Sequence, residues 1–158
     1  MPTSRKISSS FFAIVLICFF LPFVTISCDR NPVLELSGLQ LTTGTTVETP
    51  SFAGPAESKK IPANGKAILA FTCCAVGLGG SLIKKTRSNK ILPACSGGLG
   101  AFLILSIKSG LDQELVKQGA GFAGFSAEYG FGFWGSFIFF LAAALYNIWQ
   151  VVNPIPTE

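Results

Sequence analysis

The chain has no histidine, one methionine, two tryptophans and only 13% charged residues in a length of 158. Without histidine, this polypeptide cannot ligate haem iron or chlorophyll magnesium through imidazole, shuttle protons through it or use it in metal catalysis. The scarcity of charge excludes a second class. Soluble globular chains carry about 25% charged residues, so a water-exposed surface built from this composition would be unusually apolar. A bilayer removes that requirement, and 49% hydrophobic residues, fifteen phenylalanines and a mean hydropathy of +0.55 agree with it. Nor does any Asp, Glu, Lys or Arg fall in the middle of a long apolar stretch, where carriers and pumps usually keep one. The acids Asp112 and Glu114 have no partner base in sight along the chain. The expectation is a non-enzymatic protein, with a channel or carrier disfavoured.

The five cysteines are equally restrictive. Cys18, Cys73, Cys74 and Cys95 lie within apolar stretches and Cys28 stands alone at the end of one, so no loop disulfide is evident. Adjacent Cys73 and Cys74 point about 100° apart on a helix and form no CxxC pair. No metal site and no cofactor is expected.

What the sequence does contain is long uncharged gaps. Twenty-two residues separate Lys6 from Asp29, seventeen separate Lys66 from Lys84 and Lys90 from Lys108, and twenty-nine separate Glu128 from Glu158. A 17-residue helix rises about 25 Å, slightly less than a hydrocarbon core of about 30 Å, and lysines at its ends can snorkel outward. The gaps predict a single membrane domain over 1–158: an all-α bundle of four transmembrane helices, near 8–28, 66–84, 91–107 and 131–150. The outer loops would then be 29–65 and 108–130 and the inner loop 84–90, with a small extracytoplasmic β-hairpin or sheet.

Orientation follows from positive charge in short loops. "KKTRSNK" carries Lys84, Lys85, Arg87 and Lys90 without an acid, and Arg5 and Lys6 precede the first gap. That side holds six bases against Glu158, while the other holds six bases against seven acids. Both termini are expected in the cytoplasm of a cell whose inner membrane holds the protein. The basic loop is read as stop-transfer charge; no nucleic-acid partner is expected.

The stretch "LPFVTISCDR" admits two readings. A basic start, an apolar run and "VTISC" imitate a lipoprotein signal, with Cys28 as the lipidated residue. Against this, Thr25 stands three before the cysteine where a large aliphatic residue is wanted, and the apolar run exceeds a signal's usual length. Retention as the first helix is the reading carried forward, with a kink expected at Pro22. Pro93 marks the start of the third helix, and Asn64 is a cap for the second.

Small residues suggest where helices meet. Cys73, Gly77 and Ser81 recur every four residues, as do Ser96 with Gly100 and Gly97 with Ala101, giving small-xxx-small faces that let backbones approach in lipid. They could pair two copies of the chain or pack within one, and the second is preferred. In the last helix, Phe131, Phe133 and Trp134 at one end and Tyr146 and Trp149 at the other form aromatic belts.

In the first outer loop, Leu34 and Leu36 alternate with Val33, Glu35 and Ser37, and a Ser-Gly step leads to Leu39 and Leu41, a strand-turn-strand pattern. A lone hairpin is marginal in water, so it should lie on the bundle mouth or pair with the second loop. "ETPSFAGPAESKKIPANG" reads as irregular linker. The second loop opens with "SGLDQELVKQ", a short helix, and continues with Gly-spaced Phe122 and Phe125. These two rings, with Leu34, Leu36, Leu39 and Leu41, form a candidate partner surface.

"FLPFVTISC", "LSGLQLTTG" and "EYGFGFW" resemble stretches of a group of small, uncharacterised bacterial four-helix membrane proteins, which implies a topology and no activity. The layout is also similar to that of the claudin group, with four helices and a strand-bearing first outer loop; the claudin Trp-Cys-Cys signature is absent here. The functional expectation is a structural or accessory subunit of a larger membrane complex, contacting membrane lipids and either other subunits or further copies of itself. The alternative is a binder of lipid, pigment or another hydrophobic ligand between helices.

Overall fold

The computed structural model describes residues 3–28, 31–49, 57–82, 91–117 and 125–153. The elements, in chain order, are α1 (Thr3–Cys18), β1 (Pro22–Cys28), β2 (Asn31–Ser37), α2 (Gly38–Thr43), β3 (Thr45–Thr49), β4 (Glu57–Ile61), α3 (Gly65–Leu82), α4 (Ile91–Lys117), β5 (Phe125–Tyr129) and α5 (Phe131–Val152). The protein is mainly helical, with a small sheet. Helices α3, α4 and α5 are long and apolar enough to cross a membrane.

The long helices pack in the cyclic order α1, α3, α4, α5, each touching the next and α5 returning to α1. Each neighbouring pair is antiparallel. Phe12 meets Gly77 and Phe19 meets Phe71; Gly80 meets Leu92 while Lys66 reaches Ser106. Gly97 meets Ala144, and Phe12 stacks edge-on to Phe140 at 6.3 Å. The core is aromatic and aliphatic, with Phe12, Val15, Phe19, Phe23, Phe133, Phe140, Ile104 and Ile107 fully or almost fully buried. Large apolar side chains also cover the outside of these helices, among them Ile17, Phe20, Leu69, Val76, Leu99, Phe102, Leu141, Leu145 and Ile148. An apolar exterior of this kind marks a surface that meets lipid or another apolar partner.

The first apolar stretch corrects the expectation of a helix over 8–28. Helix α1 ends at Cys18, where the amides of Phe19, Phe20 and Leu21 donate to carbonyls three or four residues back. The chain then leaves as a strand. Pro22 therefore does not kink a helix; it begins β1, at a position where a missing N–H costs little. Val24, Thr25 and Ile26 follow, and β-branched residues prefer the pleated conformation.

Strand β1 is the centre of a three-stranded antiparallel sheet ordered β2-β1-β5. Val24 opposes Leu36 and Tyr129, Thr25 opposes Glu35 and Glu128, and Ile26 opposes Leu34 and Ala127. Alternation sends Val24, Ile26, Leu34, Leu36, Ala127 and Tyr129 toward the helices, where they join the core, and Thr25, Glu35 and Glu128 to the opposite face. The sheet thus caps the bundle and takes a strand from each outer loop.

The expected hairpin through Leu39 and Leu41 is also corrected. Ser37 Oγ accepts from the Gln40 amide at 3.2 Å while Gln40 Oε1 accepts from the Ser37 amide at 2.9 Å. This capping box starts α2 instead of a second strand. Gly38 is required there, since a Cβ would lie 2.8 Å from the Phe23 ring and 2.9 Å from Phe19. The linker is not wholly irregular either, because β3 pairs with β4 from Thr45↔Ile61 to Thr49↔Glu57. The short helix expected after residue 107 is continuous with α4, whose 27 residues rise about 40 Å. Pro93 does lie in its first turn. Asn64 caps α3, its Oδ1 accepting from the Lys66 amide at 3.0 Å.

Candidate functional site

Two features stand where the sheet meets the helices. The first is polar. The C-terminal part of α4 carries Lys108 and Asp112 one turn apart, and β5 ends on Tyr129 directly beside them. Tyr129 Oη donates to Asp112 Oδ1 at 2.5 Å and lies 3.3 Å from the Lys108 carbonyl. Lys108 Nζ sits 3.9 Å from Asp112 Oδ2 and 5.3 Å from the Tyr129 ring centroid. Burial, then the hydrogen bond to Asp112 and its negative charge, hold the Tyr129 phenol well above the ordinary tyrosine range. A phenol so held stays protonated and donates; it supplies no base or nucleophile. The trio is a clasp joining sheet to helix.

The second feature is an apolar groove of about 880 Å³ between the sheet and the α3/α4 pair. Ile26, Leu34 and Leu36 from the sheet and Leu41 from α2 form its roof, and Ile61 to Asn64 close one end. Ile68, Leu69, Ile107, Gly110 and Leu111 form its floor. Lys66 stands on the rim, its Nζ donating to the Ser106 carbonyl at 3.0 Å. No family model and no curated protein matches this chain. Geometry therefore carries the reading of the site.

The sequence-derived residues fall into place unevenly. Leu36 and Leu41 are buried and Leu34 half-buried, and these three line the groove; Leu39 is half-buried. Leu39 is also tied down through its amide, which donates to the Phe19 carbonyl at 2.9 Å. Phe125 opens β5 opposite Cys28, and Phe122 lies outside the described residues, as does the basic loop 84–90.

The small residues sit inside a single chain. A Cβ on Gly77 would collide with the Phe12 ring and come 2.6 Å from Ser96 Oγ, and one on Gly97 would meet the Ala144 amide at 2.9 Å. Gly100 lies against Phe140, and Ser81, Ser96 and Ala101 are buried. Cys73 is the exception: it is half-buried and lines a second, shallower groove of about 480 Å³ with Val76, Leu92, Cys95 and Leu99. The buried thiol facing the core belongs to its neighbour, with Cys74 Sγ 3.3 Å from the Phe12 carbonyl.

Sequence reasoning placed Lys66 at a helix end but missed both the clasp and the bond from Lys66 to Ser106. Tyr129 and Asp112 are 17 residues apart with no periodic relation, and Lys66 and Ser106 are 40 apart. Among the described residues no three of His, Cys, Asp and Glu gather as a metal site.

Proposed function

We propose that the protein is a non-enzymatic, four-span protein of a bacterial inner membrane, acting as an accessory subunit that presents a small sheet to a partner on the outer side. The observation that carries this reading is the sheet. Its inner face is anchored to the bundle by apolar packing and by the Tyr129 clasp, yet among the described residues neither β2 nor β5 has a strand on its outer side. Open edges of this kind accept a strand from another chain.

Several observations support the membrane placement. Helix α1 rises only about 24 Å; its apolar part runs over Lys6–Cys18, with Ile7 and Ile17 exposed on its outside, and the turn through the exposed Phe20 and Leu21 lengthens that surface. With four antiparallel helices, Thr3 and Val152 lie at the end of the bundle opposite the sheet, as do Leu82 and Ile91, which supports a cytoplasmic placement of both termini. Retention of the first segment is supported by the sheet, because cleavage before Cys28 would remove its central strand together with Phe12, Val15, Phe19 and Phe23 from the core.

The test is photocrosslinking in cells. A benzophenone amino acid at Glu35 or Glu128, both exposed on the outward face, should give a discrete heavier adduct containing the same second protein. The same probe at lipid-facing Leu145 should not. Monomer alone at Glu35 and Glu128 would refute the accessory reading.

A further inference from the structure

The groove roofed by the sheet is lined mainly by apolar side chains and has one charged group, Lys66, on its rim beside Asn64, and that combination points to an occupant. We propose that it binds an anionic phospholipid taken from the surrounding bilayer, with the lipid phosphate on the Lys66 ammonium and an acyl chain between the sheet and the α3/α4 floor. The proposal shares only the membrane placement with the accessory reading, so either can fail alone.

Four observations lead to it. Its volume of about 880 Å³ lies within the roughly 300–1,000 Å³ of small-molecule pockets, and its lining is mainly apolar, with Asn64 and Lys66 as its polar side chains. Ile68 and Leu69 are exposed at its lower edge, so the lipid-facing side of α3 runs into the groove without a polar barrier. Lys66 is the second residue of α3, at the level where the apolar helix gives way to the sheet, and that is headgroup depth.

Charge decides the class. An ammonium has three donors and Lys66 directs one to the Ser106 carbonyl. The carboxylates whose side chains the structure describes are Glu35, Asp112 and Glu128; Asp112 pairs with Lys108, and none of the three pairs with Lys66. The amine lies close against Gly110, where a Cβ would stand 3.2 Å from Nζ, and Lys66 is exposed. A phosphodiester would complete the amine's hydrogen bonds and its charge. A zwitterionic lipid brings its own cation beside the phosphate and gains less. A purely structural tie between α3 and α4 would also use Lys66, but it would give no preference between lipid headgroups.

Native mass spectrometry of the full chain in detergent separates these cases, with dioleoylphosphatidylglycerol and dioleoylphosphatidylcholine as probes. The wild type should retain one phosphatidylglycerol and prefer it about tenfold, the scale of one charge-assisted hydrogen bond. Lys66→Gln should bring the two lipids to near parity and Lys66→Arg should keep the preference. Equal retention by the wild type, or an undiminished preference in Lys66→Gln, would overturn the proposal. Should Lys66→Gln fail to fold, wild-type protein can be labelled with phosphatidylglycerol bearing a diazirine on its acyl chain. Label on Leu41, Ile107 and Leu111 is expected; label confined to the exposed face of α5 would overturn it.

Discussion

Glycine placement is the sharpest statement this molecule makes at the scale of single residues. Gly97 and Gly98 are neighbours in α4, yet a Cβ on the first would strike the backbone of α5 and a Cβ on the second would meet nothing within 4 Å. Backbone cannot swing aside as a flexible side chain can. Gly97→Ala should therefore destabilise by about 1–3 kcal/mol, the usual cost of overpacking, while Gly98→Ala should be neutral or stabilise by up to about 1 kcal/mol through helix propensity. Thermal unfolding of both variants in one detergent checks this, and equal shifts would contradict the packing described. A second residue-scale feature is the bond from Ser8 Oγ to Asn147 Oδ1 at 3.1 Å, both side chains fully buried, with Asn147 Nδ2 also donating to the Ala143 carbonyl at 2.7 Å. A double-mutant cycle of Ser8→Ala and Asn147→Ala should return a coupling of about 0.6 kcal/mol, as for other bonds between membrane helices. Zero coupling would mean that the two groups find other partners.

Elements were legible in the sequence to the degree that one signal dominated each. The charge gaps located α3, α4 and α5 because nothing apolar competes with them, and Asn64 and Pro93 marked two starts. The first gap misled because two structures share it: length and hydropathy do not reveal that a helix stops at Cys18, whereas Pro22 followed by Val24, Thr25 and Ile26 could have. The S-x-x-Q box at Ser37 was likewise present and was outweighed by the alternating leucines before it. Removing that cap should be measurable, with Ser37→Ala costing about 1 kcal/mol and speeding amide exchange in α2. The clasp gives an element-scale prediction of opposite chemistry. A phenol whose acidity is weakened by folding stabilises the folded state fully below its unfolded pKa of about 10 and loses that contribution as pH rises further. Stability should thus be insensitive to Tyr129 between neutrality and about pH 10 and fall above it. Tyr129→Phe should remove this alkaline decline; an unchanged profile in that variant would assign the decline to another group.

For the whole molecule, the topology is the claim on which function rests. In a background lacking the native cysteines, Glu35→Cys should react with an impermeant maleimide added outside cells, and Lys85→Cys should react only after lysis. The reverse result would invert the protein and remove the outer sheet from any external partner. The groove could not have been read from the chain, because Leu34, Leu36, Leu41, Ile107 and Leu111 are ordinary apolar residues until the sheet folds over α4. Only three residues, Phe19 to Leu21, separate the end of α1 from the central strand, and that link is short and internally hydrogen-bonded. It has no slack. A pull applied at either open edge of the sheet would accordingly be transmitted through β1 into α1, and along α1 to the Ser8–Asn147 bond toward the opposite end of the bundle, a single continuous strut.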